Sequence, residues 1–312
     1  MSIESLQAHV IVATKGRAEP LNLLLDRLQR QTLQPTSVTV IGVTEDDVRG
    51  AAGRPCAGGE SAHVLVTQRA GTCLQRNVGI EHVVANASAR DQARGYFVVF
   101  FDDDFRPADD WLAQCRDVFV AQADVVAVTG RVLADGVGGP GLGEADALAY
   151  LVGARPPEPH WAGGTTEREM VSVYGCNMAF RDRVLQTCRF DENLPLYGWQ
   201  EDQDYTGQAR RYGRIVFAPG CRGVHLGSKG GRTSGLRFGY SQIANPLYLI
   251  RKGTMDRAKS ARFILRHLLS NSVRSIKWNP KVDYRGRLRG NVMAIVDVLR
   301  GRCHPSRVLE LG

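Results

Sequence analysis

Three adjacent carboxylates, Asp102, Asp103 and Asp104, close the apolar run Tyr96–Phe101 (YFVVFF). Like charges repel, and an apolar strand beside them adds a desolvation cost, so open solvent or a cation must compensate. On an extended chain, residues two apart share a side. Asp102 and Asp104 can therefore face one ligand together while Asp103 faces elsewhere. Two hard oxygen donors with coordination space left over suit Mg²⁺ or Mn²⁺ held jointly with the diphosphate of a nucleotide. A solvated loop after a strand would carry acids too, so the triplet alone leaves both readings open.

Two further groups keep it company. The segment WQEDQDY sets Trp199, Glu201, Asp202 and Asp204 at the start of a helical pattern. Acids in a first helical turn complement the dipole and can be caps and nothing more. Trp199, just after Gly198, also suits a substrate-facing loop on which a sugar face can stack. His225, in GVHLG beyond an apolar run, can be a third metal ligand, a phosphate contact or a structural histidine.

The elements that must position these groups alternate. His9–Thr14, Ser37–Val43, Ala62–Thr67, Tyr96–Phe101 and the run DVVAVTG read as strands. Glu19–Thr32, Gly71–Ala87 and Ala108–Gln122 read as helices, the first carrying Leu21, Leu24, Leu25 and Leu28 at helical spacing. This order predicts an α/β layered fold with a mostly parallel central sheet and flanking helices, whose ligands gather at the carboxyl ends of the strands. From Leu133 to Thr166 the chain is rich in Gly and Pro and is expected to form a mobile loop near the site. MVSVYGCNMAFRDRVL predicts a strand and a short helix, Tyr197–Gly213 a loop feeding a helix, and Arg214–Gly227 a strand with its exit loop. After Ser228 the sequence is Gly-, Ser-, Lys- and Arg-rich, and Arg257–Arg300 reads as basic amphipathic helices.

A chain of 312 residues with a formal charge of +8 suits one large domain with an appendage and favours anionic partners. Its seven scattered cysteines form no C-x-x-C pair, which argues for free thiols in a reducing cytoplasm and against a zinc or disulfide framework. No basic-then-apolar leader opens the sequence and no stretch reaches membrane-span length. Any membrane contact is expected to be peripheral.

The pieces VIVATKGRAEPLNLLLDRLQRQT, QRNVGI, VFFDDDFRPADDWL, YGCNMAFR, WQEDQDYTGQARRYG and GVHLG, in this order, resemble the inverting family 2 glycosyltransferases of the nucleotide-sugar-binding GT-A fold. The resemblance runs from about Ala8 to Gly227, giving a catalytic domain over 8–227 and a C-terminal extension over 228–312, Gly-rich at first and then helical. It implies that Thr14 and Arg17 lie at the nucleotide pocket, and that Glu45 or Asp46 approaches the base or ribose. Arg76 would touch the nucleotide or neutralise phosphate. Asp102 and Asp103 would lie near ribose and diphosphate, Asp104 on the metal, and Asn177 beside the donor sugar. Asp202 would be the general base, with Glu201 orienting the acceptor. Ala13 stands where family members more often carry proline. Gln200 interrupts a common Trp-Glu-Asp or Gly-Glu-Asp spacing, which leaves open whether Glu201 or Asp202 faces the acceptor.

The implied activity is sugar transfer from a nucleotide diphosphate sugar, a UDP-sugar first, to a saccharide or lipid-linked acceptor. Mg²⁺ or Mn²⁺ would assist, in the cytoplasm or peripherally at the inner face of the cell membrane, in bacterial polysaccharide or glycolipid assembly. A metal-dependent nucleotidyltransferase would use similar carboxylates, but it usually carries a more Gly-rich phosphate loop than ATKGRAEPL. A nucleic-acid-binding protein could use the basic tail, yet no recognition module accompanies it, so no nucleic-acid partner is expected. Within Arg257–Trp278, Phe263, Ile264, His267, Leu268 and Ile276 fall near one helical side, with Arg262, Arg266, Arg274 and Lys277 around them. Such a helix can rest on an anionic bilayer or pack on the rest of the protein.

Overall fold

The run Tyr96–Phe101 is buried along its whole length because its strand has neighbours on both sides. The structure, a computed structural model, describes residues 6–228, 234–277 and 282–311. Among them, nine strands form one sheet: β1 Gln7–Ala13, β2 Ser37–Gly42, β3 His63–Val66, β4 Tyr96–Asp102, β5 Phe105–Pro107, β6 Val125–Asp135, β7 Arg168–Glu169, β8 Asn177–Arg181 and β9 Arg214–His225. Their order is β3-β2-β1-β4-β8-β6-β9-β5, with β7 also on β9. The pairs β1–β2, β2–β3, β1–β4 and β6–β9 are parallel, while β8 runs antiparallel between β4 and β6. Strands β1, β2 and β4 thus end on the same edge, and the loops that follow them meet there.

Helix Ala18–Leu28 turns Leu21, Leu24, Leu25 and Leu28 onto the sheet, as their spacing predicts. Each such leucine contributes about 1.5–3 kcal/mol by leaving water. Phe97, Phe101, Phe105, Trp111 and Phe119 fill the same core under β4 and the helix Trp111–Ala121.

The chain divides into two compact units. One comprises Met1–Ala70, Gln75–Arg189 and Ala209–Gly231, and holds the sheet. The other comprises Gly71–Leu74, Phe190–Gln208 and Arg232–Gly312. In the second, helices Gly235–Lys252 and Tyr284–Leu299 touch backbone to backbone: a Cβ on Gly239 would stand 2.0 Å from the Arg287 carbonyl oxygen. Their core is Tyr240, Ile243, Ala244 and Ala294, beside a polar network in which Asn271 Nδ2 donates to Gln242 Oε1 (2.7 Å) and Asn291 Oδ1 (2.7 Å).

Several sequence expectations need correction. The Gly- and Pro-rich stretch 133–166, expected as a mobile loop, contains the end of β6 and helix Glu144–Leu151. Glu144 there forms an ion pair with the buried Arg106 at 2.7 Å, a tie that the local composition does not reveal. The strand and short helix expected within MVSVYGCNMAFRDRVL are present as β8 and the helix Asp182–Leu185, whereas β5 is a short strand that the sequence did not suggest. The segment after Ser228, noted in the sequence for its composition alone, is helical from Gly235, where Gly235 and Gly239 lie too close to their neighbours to admit a Cβ; residues 229–233 lie outside the described residues. In helix Arg257–Arg274, Ile264 and Leu268 pack inward while Leu265, Leu269 and Val273 are exposed, so the face expected to meet a membrane is the packed one. Trp278 lies outside the described residues.

Candidate active site

Thr14 follows β1, Gly16 takes a left-handed φ of 66°, and Arg17 caps the helix that begins at Ala18. The carboxylate of Asp47, on the single turn Glu45–Val48 after β2, accepts the N–H groups of Gly16 (2.5 Å), Val43 (2.9 Å) and Thr44 (2.8 Å). Burial works against its charge, but these N–H groups hold its pKa below the ordinary carboxylate value. Asp47 thereby ties the two loops into one wall. A cavity of about 470 Å³ opens beside it, lined by Gly16, Arg17, Glu19, Asp46, Asp47, Arg49 and Ser228. Asp46 is on that lining; Glu45 shares its turn, exposed and outside it.

The acidic triplet meets its partners here. Asp103 is fully buried, accepts the Thr14 hydroxyl at 2.7 Å and faces Arg17 at 3.0 Å. Burial pushes its carboxyl up to about 7, against the pull of Arg17 and with the push of Asp104. Asp102 takes Arg76 at 2.9 Å, whose guanidinium also donates to the Gly175 carbonyl at 3.0 Å. Asp104 accepts the Ser228 N–H at 2.6 Å, and Arg17 stands 3.5 Å away. Burial opposes its charge, yet His225, Arg17 and that N–H hold it well below the usual carboxylate range. The protein's own cations thus relieve much of the repulsion.

His225, the last residue of β9, brings Nε2 to 3.3 Å from Asp104 Oδ1 and 3.9 Å from Asp102 Oδ2. One ligand atom from each of Asp102, Asp104 and His225 lies within 4.8 Å of the others, the spread of donors around one small ion. Asp104 Oδ1 is buried and accepts no hydrogen bond among the described residues. Two carboxylates and an imidazole, with one oxygen left without a donor, fit Mg²⁺ or Mn²⁺, which keep open positions for phosphate oxygens. Burial lowers the His225 pKa, but the Cys176 sulfur, Asp104 and Asp135 outweigh it and raise the pKa well above its ordinary value. The buried Cys176 thiol is itself pushed up to about 12 by its desolvation.

Asn177 is fully buried at the start of β8, and its Oδ1 accepts the Gly130 N–H at 2.7 Å, a bond that joins β8 to β6. Trp199, Glu201 and Asp202 belong to the second unit. There Trp199 packs edge-on against Phe238, Phe263 and His267, and Asn245 donates to its carbonyl at 2.7 Å. Glu201 is buried, while Asp202, half-buried, accepts the Gln203 N–H at 2.7 Å. Gln200 holds a left-handed φ of 74°, and neither atom of its buried carboxamide has a hydrogen-bond partner among the described residues. Sequence reading missed Asp47, Asp135, His160 and Tyr174. Only an acid next to Asp46 signalled the first, and the others sit in or beside the stretch taken for a loop.

No protein-family model and no curated protein matches this chain. Solved structures do. The chain is similar to the S. aureus TarS 1–349 structure in complex with UDP-GlcNAc, with TM-score 0.57 and 18% identity over 98% of this chain and 84% of that one. It is also similar to the mannosyltransferase PcManGT from Pyrobaculum calidifontis in complex with GDP-Man and Mn²⁺, with TM-score 0.52 and 17% identity over 94% and 86%. A longer S. aureus TarS structure matches with TM-score 0.52 and 17% identity over 88% of this chain, which spans 44% of that one. The fold is therefore the GT-A type that the sequence led us to expect.

Proposed function

We propose that this chain is a metal-dependent, inverting glycosyltransferase of the family 2 type, taking its sugar from a nucleoside diphosphate donor. One observation carries the reading. At the edge where β1, β2 and β4 end, the cluster Asp102–Asp104–His225 and a cavity of about 470 Å³ share Arg17 and Ser228 as neighbours. The GT-A fold and neighbours whose structures hold UDP-GlcNAc or GDP-Man support it.

Asp102, Asp104 and His225 would hold Mg²⁺ or Mn²⁺, which when bound neutralises charge gathering on the departing diphosphate. Arg17 sits against Asp103 and Asp104 and Arg76 against Asp102, so both guanidiniums would stand beside the metal ligands as candidate partners for phosphate oxygens. The fixed N–H of Ser228 and the Thr14–Asp103 bond hold the loop ends in place without reorganisation, the condition under which electrostatic stabilisation is most effective. Asp46 lines the cavity where a base or ribose would lie.

Inversion needs a carboxylate to take the acceptor proton as the hydroxyl attacks opposite the leaving group. The sequence resemblance assigns this to Asp202, with Glu201 orienting the acceptor and Trp199 near it. The acceptor would be a saccharide or a lipid-linked saccharide of a bacterial envelope pathway.

No helix among the described residues is long and apolar enough to cross a membrane. Helix Arg257–Arg274 nonetheless exposes Leu265, Leu269 and Val273 beside Arg262 and Arg266, and has no acid among its residues. That combination supports peripheral contact with an anionic inner-leaflet surface.

The test is a panel of UDP-, GDP- and dTDP-sugars screened by thermal shift with Mn²⁺ and with EDTA, followed by product analysis. A Mn²⁺-dependent shift with nucleoside diphosphate release supports the reading. Release of a sugar 1-phosphate instead would replace it with nucleotidyl transfer.

A further inference from the structure

The metal cluster contains one ligand whose chemistry depends on where a proton sits. An imidazole binds a cation only through a nitrogen that carries no hydrogen, and His225 has two nitrogens in use. Nε2 faces Asp104 and Asp102, whereas Nδ1 lies 3.2 Å from Asp135 Oδ1.

Asp135 is the last residue of β6 and the register partner of His225 on the parallel strand β9. That pairing is built by irregularities. The ladder shifts between Gly130 and Arg131 and again between Val132 and Ala134, and only after the second shift do Asp135 and His225 stand side by side. Bulges beside sites commonly re-aim a side chain in this way.

The other carboxylate oxygen of Asp135 is held from outside. Tyr174 donates its hydroxyl to Oδ2 at 2.7 Å, and His160 Nε2 stands 3.3 Å from the same atom. His160 Nδ1 lies 3.1 Å from the Ala162 N–H and accepts it, so the proton of that ring resides on Nε2 and points at Asp135. The loop bearing His160 is strapped to β6 by the Val132 N–H donating to the Ala162 carbonyl at 2.8 Å. Asp135 is therefore pinned by two donors on one oxygen, and its other oxygen, fixed by the Val137 N–H at 2.9 Å, faces His225 Nδ1 as an acceptor.

We propose that Asp135, braced by Tyr174 and His160, is a positioning residue that fixes the Nδ1–H tautomer of His225 and thereby presents Nε2 as a divalent-cation ligand. This rests on the metal site of the proposed function. A carboxylate behind a ligating histidine orients the ring and strengthens it as a donor, and losing such a partner typically weakens metal binding about 10–100-fold. An asparagine at 135 would meet four donors, from Tyr174, His160, Val137 and His225, with one oxygen and one NH₂. It would leave a donor unpaired or reverse the His225 tautomer, placing hydrogen on the nitrogen that should face the cation.

The experiment titrates the full-length protein with Mn²⁺ alone, reading free Mn²⁺ by electron paramagnetic resonance, for wild type and Asp135→Asn. The expected result is binding weakened about 10–100-fold, with partial recovery in Asp135→Glu. Unchanged affinity in Asp135→Asn overturns the proposal. A second measurement covers a variant that fails to fold. Long-range ¹H–¹⁵N spectra of Mg²⁺-loaded wild type should show His225 protonated on Nδ1, and hydrogen on Nε2 overturns the proposal. Should the wild type bind no Mn²⁺ at all, the metal site itself fails and this inference falls with it. Binding that ignores Asp135 overturns the inference alone.

Discussion

Replacing Lys252 with methionine should unsettle the helix that carries Glu201 and Asp202, without touching either acid. Lys252 Nζ donates to Asp204 at 2.7 Å and to Asp191 at 2.6 Å, all within the second unit. Asp204 is fully buried in helix Glu201–Ala209 and also accepts Thr254 Oγ1 at 2.7 Å and Gln208 Nε2 at 2.9 Å. Asp191 retains Tyr248 Oη at 2.8 Å and the Asn193 N–H at 2.9 Å. Burial disfavours the Lys252 ammonium, but the two carboxylates outweigh it and raise its pKa. Methionine keeps the stem and removes the charge, stranding one buried carboxylate and weakening another. Breaking a buried pair from one side costs about 3–5 kcal/mol. At about 2–4 °C per kcal/mol, the melting temperature should fall by roughly 6–20 °C. Calorimetry of wild type, Lys252→Met, Asp204→Asn and the double variant would isolate the coupling. Adding Asp204→Asn to Lys252→Met should recover part of the loss, because it removes the stranded charge. A melting temperature within 2 °C or so of wild type for Lys252→Met would refute the reasoning, since an exposed pair loses only about 0–1 kcal/mol.

Asp202→Asn should leave nucleoside diphosphate affinity near wild type and lower turnover about 10²-fold or more, measured by release of the diphosphate product; near-normal turnover would shift the base to Glu201. His267, pushed down to about 4 chiefly by burial, has Nδ1 within 3.0 Å of Gln242 Nε2 and is neutral in the fold. The unfolded chain then takes up its proton first as pH falls, so stability is present above the ordinary pKa of about 6.5 and is lost between there and about 4. Denaturant melts at pH 7 and 4.5 should show wild type losing about 1–3 kcal/mol more than His267→Gln, and parallel losses would contradict this. Flotation with anionic vesicles should weaken with salt and in Leu265→Asp/Leu269→Asp, whereas equal flotation of the variant would remove the lipid surface from the account.

The sheet-bearing part of the fold was legible because its signals are local. Leu21, Leu24, Leu25 and Leu28 mark a helix by spacing alone, and Tyr96–Phe101 marks a buried strand by leaving no polar side. The acidic triplet was legible for the same reason, since three carboxylates on an apolar strand demand a partner wherever they occur. What failed to show depends on register and distance. Asp135 meets His225 only because β6 is irregular, and Asp47 finds its role in an N–H group thirty-one residues away. The roles of Gly235 and Gly239 also depend on distant residues, since each faces another backbone or side chain at a distance that leaves no room for a Cβ. Helix Arg257–Arg274 carries apolar residues on two sides, and its sequence cannot say which side the neighbouring helices take.

The central claim is that Asp102, Asp104 and His225 bind a cation that in turn holds a nucleoside diphosphate. Calorimetric titration with UDP and GDP, in Mn²⁺ and in EDTA, tests it on wild type and Asp104→Asn. The account predicts binding of at least one of the two that requires Mn²⁺ and weakens at least about 10-fold in Asp104→Asn, as loss of a hard carboxylate ligand demands. Equal affinity in Mn²⁺ and EDTA, or an Asp104→Asn protein that binds as wild type does, would contradict it.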